Sequence, residues 1–163
     1  MVVPNDRLGG AELNATDSLV REGVAAADAR VVLFHSDTAD GRAVGGVLAA
    51  VFRAHGHAGS EAVPVADLRD DDPERFRVRG LRQLARAMGA TIRAAGPGAC
   101  VVNATGGYKA QVAVAVLVGQ AAGAPVYYRH ERLPTVIAFP PLPLTFDPTV
   151  WRRHRDLFAR LDT

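Results

Sequence analysis

The sequence predicts an α/β fold in a single domain: a Rossmann-like, open and mostly parallel sheet with helices on both faces. Three observations carry this. Short, continuous β-branched runs alternate with longer stretches in which apolar residues recur at helical intervals. Polar or glycine-rich loops follow two of the runs directly, as they do where a strand turns into a helix. A chain of 163 residues that is 48% apolar is one domain by length and buries a core without disulfides or metals.

The elements follow in order. Leu13, Leu19, Val20 and Val24 among alanines predict a helix from Ala11 to about Ala29, closed by Asp28-Ala-Arg30. Val31-Val-Leu-Phe34 is a continuous apolar run of the kind covered on both faces in a sheet. The polar loop His35-Ser-Asp-Thr-Ala-Asp-Gly41 follows it, and Val44, Val47, Leu48, Val51 and Phe52 then mark a second helix. Ala62-Val-Pro-Val-Ala66 reads as a short strand whose proline favours an edge or a strand start. From Pro73 to Ala95, the spacing of Phe76, Leu81, Leu84, Ala85, Met88 and Ile92 predicts a helix with its proline in the first turn. Tyr108 to Ala122 is almost wholly apolar, which predicts a helix buried on most of its surface, with Gly123 as its C-terminal cap. Pro125-Val-Tyr-Tyr128 and Thr135-Val-Ile-Ala-Phe139 predict two more strands, and Pro140-Pro-Leu-Pro143 stops the sheet. Asp147 and Pro148 open a last helix ending near Leu161, so the domain is expected over residues 1–145 and the closing helix over 146–163.

Composition narrows the function classes. Nineteen basic and seventeen acidic side chains give a net charge of +2, too little for bulk attraction to duplex nucleic acid. Binding of duplex nucleic acid is therefore not expected, and a nucleotide ligand would have to be met locally. The basic clusters Arg75–Arg86 and Arg152-Arg-His-Arg155 are interrupted by apolar residues at helical spacing and read as solvated faces, Arg77 and Arg79 included. The lone Cys100 lies inside an apolar run and reads as a core residue. His35, His55, His57, His130 and His154 show no metal-ligand spacing, so no metal site is expected. No run is long and apolar enough for a membrane span, and the first seven residues lack a signal-peptide pattern. No membrane partner and a cytoplasmic location are expected.

The stretch Ala99-Cys-Val-Val-Asn-Ala-Thr-Gly-Gly-Tyr-Lys-Ala-Gln-Val112 has the form of an anion site. Where a buried strand turns sharply into a helix, the first helical turn leaves backbone N–H groups without intrahelical partners, and the helix dipole adds partial positive charge. Gly106 and Gly107 remove Cβ atoms that would hold a phosphate away, and Lys109 adds a full charge. A tight turn with a surface lysine accounts for two glycines alone; Thr105, Lys109 and the preceding strand add the ligand reading. The Gly-x-x-x-x-Gly-Lys-Ser/Thr spacing of a P-loop is absent. Both the Ser36–Gly41 and Asn103–Lys109 loops follow strands, which allows them one shared cleft.

Taken in order, Phe34-His-Ser-Asp-Thr-Ala-Asp-Gly41, Val102-Asn-Ala-Thr-Gly-Gly-Tyr-Lys109, Tyr128-Arg-His-Glu131 and Phe139-Pro-Pro-Leu-Pro143 resemble the CRISPR-associated Rossmann fold (CARF) family. The match is to its branch of ring nucleases and cyclic oligoadenylate sensors, from about Ala11 to Pro143. The resemblance implies binding of a cyclic oligoadenylate, usually cyclic tetra-adenylate, by a homodimer with the ring across its two-fold axis. A two-fold interface presents one patch twice, and a ring of four identical nucleotides has a matching axis. It implies that Asn103, Thr105, Gly106, Gly107, Tyr108 and Lys109 form the phosphate-and-ribose loop, and Ser36, Asp37 and Thr38 the second loop. Some members open the ring without metal or other cofactor: a ribose 2′-hydroxyl attacks its neighbouring phosphorus and leaves a 2′,3′-cyclic phosphate. The resemblance makes Lys109 the cation for that step.

The family's first strand and its hydroxyl-bearing loop are scarcely matched. Met1-Val-Val3 is barely a strand, and Asn5–Gly10 has no serine or threonine, as expected of a start lying further upstream or of a shortened loop. Trp151–Thr163 leaves room for a closing helix and none for a ribonuclease effector. Two alternatives stay open: a Rossmann-like nucleotide-binding enzyme, which lacks the expected Gly-x-Gly-x-x-Gly, and a CARF-type transcriptional regulator without its effector domain. Tyr108 suits adenine stacking and helix packing equally, and Glu131 reads as a structural hydrogen-bonding residue.

Overall fold

The computed structural model of the chain describes residues 10–69, 71–130, 133, 135–144, 149 and 153. The sequence readings of residues 1–9, Glu131 and the closing helix over 146–163 fall on, or mostly on, residues outside that set.

Helix α1 spans Gly10–Arg21 and is shorter than its apolar spacing predicts. Gly23 takes a positive φ of 73°, and the N–H groups of Gly23 and Val24 bond back to Val20 and Leu19 carbonyls at 3.0 and 2.9 Å. This Schellman closure ends the helix before Val24, which the spacing had placed inside it. Strand β1 (Val32–Ser36) leads through the polar loop into α2 (Ala39–Ala54), and β2 (Glu61–Val65) pairs parallel to β1 with Val32 opposite Glu61.

The segment from Pro73 to Ala95 is three pieces rather than one helix. A single turn, α3 (Pro73–Arg75), passes into a π-helical turn over Phe76–Gly80 and then into α4 (Leu81–Ala95). Its wider turn, with the Leu81 N–H bonded to the Phe76 carbonyl, brings Gly80 against Asp67 and Leu68, where a Cβ would strike the Asp67 carbonyl oxygen. Periodicity alone does not reveal this close approach.

Strand β3 (Val102–Asn103) pairs parallel to β4 (Val126–Tyr128), which pairs antiparallel to β5 (Ile137–Ala138). The strands form two small, mostly parallel ladders, β1–β2 and β3–β4–β5, where the sequence predicted one open sheet. β3 is only two residues long; the alternate N–H groups of Val102 and Ala104 donate to the carbonyls of Pro125, just before β4, and Tyr127 within it. The arrangement is a mixed α/β fold compatible with the Rossmann-like class.

Both ladders share one core. Val65 of β2, Val102 of β3, Val126 of β4 and Leu84, Met88 and Ile92 of α4 are buried together, and Phe34 of β1 packs against them. Helix α5 (Lys109–Ala122) adds Ala115 and Val118 to that core and ends at Gly123 in the left-handed region, as predicted. Its Gly119 lets the helix lie directly on the strands, since a Cβ there would be 2.5 Å from Val126 Cγ2. The expectation that α5 is buried on most of its surface is overturned. Only Ala115, Val118 and Gly119 are fully buried, and Leu117 is 56% exposed. Alanine and valine are small enough to stand on an open face, so composition alone cannot mark which side is covered. Cys100 packs against the core, and burial pushes its thiol pKa up. Among the described residues, no helix is long and apolar enough to cross a membrane.

Candidate functional site

The turn from β3 into α5 is built by side chains bonding to nearby backbone. Asn103 Oδ1 accepts from the Thr105 hydroxyl at 2.6 Å and from the Thr105 N–H at 3.2 Å, an Asx-type turn that reverses the chain after the strand. Thr105 Oγ1 in turn accepts from the Arg129 N–H at 3.0 Å, tying the loop to the end of β4. Asn103 and Thr105 thus fix the loop's shape; with both lone pairs of its Oδ1 engaged, Asn103 keeps its amide NH2 donors for a ligand, and Thr105 keeps one hydroxyl lone pair.

The two glycines that follow do different work. Gly107 has φ of +97°, a conformation that side-chain-bearing residues rarely take. Gly106 lies under Glu12 of α1: a Cβ there would land on the Glu12 carboxylate, 3.1 Å from Cδ and 3.3 Å from Cγ. The Tyr108 N–H donates to Gln111 Oε1 at 2.9 Å, so a side chain from the third helical position caps the helix start. The N–H groups of Gly106, Gly107, Lys109 and Ala110 have no hydrogen-bond partner among the described residues. They stand at the positive end of a 14-residue helix. Lys109 is exposed beside them, in ion-pair contact with none of the described residues. Tyr108 is 56% exposed, with Phe76 of the π-helical turn set edge-on to its ring at 6.3 Å and 86°.

The second loop is occupied with its own helix. Thr38 is the N-cap of α2, accepting from the Gly41 N–H at 3.0 Å, and its hydroxyl lies 2.9 Å from that of Ser36. Asp37 is ion-paired with Arg42. Gly41 allows this closure, since a Cβ there would strike Ser36. The structure therefore gathers Asn103, Thr105, Gly106, Gly107, Tyr108 and Lys109 into one cradle and Ser36, Asp37 and Thr38 into another. Both follow the carboxyl end of a parallel strand, and no hydrogen bond or ion pair among the described residues joins them.

Four neighbours of the first cradle were not singled out by the sequence. Gln111 had a readable signal, a glutamine at the third position of a helix. Arg129, quoted in the sequence only as part of Tyr128-Arg-His-Glu131 and given no role there, is 8% exposed. Glu12 and Phe76 come from distant segments and carry no local signal.

Asn103, Gly107, Tyr108, Lys109 and Ala110 of the cradle are exposed. A cavity of about 400 Å³, lined by Gln120, Pro125, Val126, Phe139, Pro141 and Leu142 among others, lies at the opposite end of β4. Another of about 260 Å³ is formed by Asp72, Glu74, Arg75, Val78 and Arg79. His57 is buried with Nδ1 2.7 Å from the Ala29 carbonyl oxygen, and His35 lies beneath Gly45, so both serve packing. Among the described residues, no group of three or more histidine, cysteine, aspartate or glutamate side chains is placed to hold a metal ion.

Residues 7–142 match a protein family described as CRISPR-associated protein (Cas_APE2256). No curated protein matches the chain.

Proposed function

The chain belongs to the CRISPR-associated family Cas_APE2256 and so has a role in CRISPR defence; from that premise we propose that it is a CARF-type protein that binds a cyclic oligoadenylate, cyclic tetra-adenylate first among them. One observation carries the reading: the amides of Gly106, Gly107, Lys109 and Ala110 have no hydrogen-bond partner among the described residues at the positive end of α5, whose first residue is the exposed Lys109. Such a terminus favours a phosphate group. The amide NH2 of Asn103 and the remaining lone pair of the Thr105 hydroxyl suit ribose hydroxyls, and the exposed ring of Tyr108 suits a purine. Two copies of the chain would hold one ring about a shared two-fold axis.

The same cradle would serve ring opening. A ribose O2′ held in line attacks the adjacent phosphorus and gives its proton to water. The P–O5′ bond breaks, and the departing oxygen takes up a proton from solvent. Each cut leaves a 2′,3′-cyclic phosphate and a free 5′-hydroxyl, and two cuts give linear di-adenylate. Lys109 would stabilise the charge that builds on the phosphoryl oxygens, and no metal would be required.

Incubating the purified chain with cyclic tetra-adenylate, with and without chelator, and following both complex formation and ring opening tests the reading. A complex that forms in chelator and weakens about 10-fold or more in Lys109→Ala, as loss of a charged hydrogen bond would give, supports it. No interaction with rings of three, four or six adenylates defeats it.

A further inference from the structure

The Glu12 carboxylate makes no side-chain hydrogen bond or ion pair among the described residues, yet it lies directly on Gly106, within the cradle. α1 delivers it there from the first turn of a helix remote in sequence. A carboxylate so close to a phosphate-binding turn repels the phosphate unless a hydrogen-bond donor stands between them. In a ribonucleotide, the 2′-hydroxyl next to each 3′-phosphate is such a donor.

We infer that Glu12 is a specificity-determining residue whose carboxylate accepts a hydrogen bond from a ribose 2′-hydroxyl of the bound nucleotide and so excludes 2′-deoxy ligands. This rests on the cradle reading given above. Gly106 is part of the same device, because only a residue without a Cβ leaves the carboxylate its seat over the turn. The asymmetry is physical: a ribose ring satisfies the carboxylate, whereas a deoxyribose ring leaves one anion facing another with nothing shared between them.

The test compares the affinities of cyclic tetra-adenylate and its all-2′-deoxy counterpart for the wild-type chain and for Glu12→Gln, Glu12→Ala and Gly106→Ala. The wild type is expected to prefer the ribose ring by about 10- to 100-fold, the range for a charged hydrogen bond. In Glu12→Ala that ratio should fall close to one, through weaker binding of the ribose ring and tighter binding of the deoxy ring. Gly106→Ala, which keeps the carboxylate but displaces it, should narrow the ratio in the same direction. Glu12→Gln keeps the side-chain shape and serves as the folded variant, and it should bind the deoxy ring more tightly than the wild type does. If both rings bind and their ratio is the same in all four proteins, Glu12 has no such role and the cradle reading stands. If the wild type binds neither ring, the cradle reading falls and this inference with it.

Discussion

Gly107 shows most clearly how a single residue sets the site. Its φ of +97° lies where side-chain-bearing residues are strained, and a methyl group there would meet Gln111 Oε1 at 2.5 Å. Gly107→Ala is expected to cost about 1–3 kcal/mol, the usual range for strained backbone, and to move the Gln111 cap. A urea unfolding curve measures the first effect, and a loss of ring affinity the second. Cys100 offers a separate check on the core. Its folded pKa is raised by burial, so its contribution to stability is complete below the unfolded value of about 8.5 and is lost as pH rises through the folded value. At pH 8, the native thiol should alkylate more slowly than that of the urea-unfolded chain; equal rates would mean that Cys100 is not packed as described. At Asp71, the hydrogen bond from Arg69 holds the carboxyl below its ordinary value. Both groups lie fully at the surface, where such a pair adds little to stability.

At the scale of elements, the two candidate loops divide by what their side chains are already doing. The hydroxyl of Thr38 is committed to capping α2. Thr38→Ala should therefore destabilise the chain by about 1 kcal/mol, the typical cost of a lost N-cap, and its effect on ring binding should be no larger than that on stability. A much larger loss of affinity would place Thr38 on the ligand. The loop before α5 uses its side chains differently, because Asn103 and Gln111 each satisfy one amide and leave others open. Most elements were legible in the sequence: β1, α2, β2, α5 and the Gly123 cap lie close to where spacing and turn chemistry put them. The end of α1 is legible too, in Gly23 standing just before Val24. The π-helical turn was not, since what demands it is the backbone of Asp67 passing under Gly80. The local form of the cradle was carried by Gly106-Gly-Tyr-Lys109, while Glu12, Phe76 and Arg129 reach it only through the fold.

For the whole molecule, the chain is an α/β domain of a CRISPR-associated family in which two short ladders share one core, and most residues of the candidate cradle are exposed. An exposed cradle suits a ligand completed by a second copy of the chain, so one cyclic tetra-adenylate is expected for every two chains. Amide nitrogen–proton NMR during titration with cyclic tetra-adenylate reads whether the turn amides receive the ring's phosphate. Saturable shifts of Gly106, Gly107, Lys109 and Ala110 that level off at half an equivalent of ring are expected. Shifts confined to other residues, such as those lining the cavity at the far end of β4, with these four amides unmoved at saturation, would contradict binding of the phosphate by the turn.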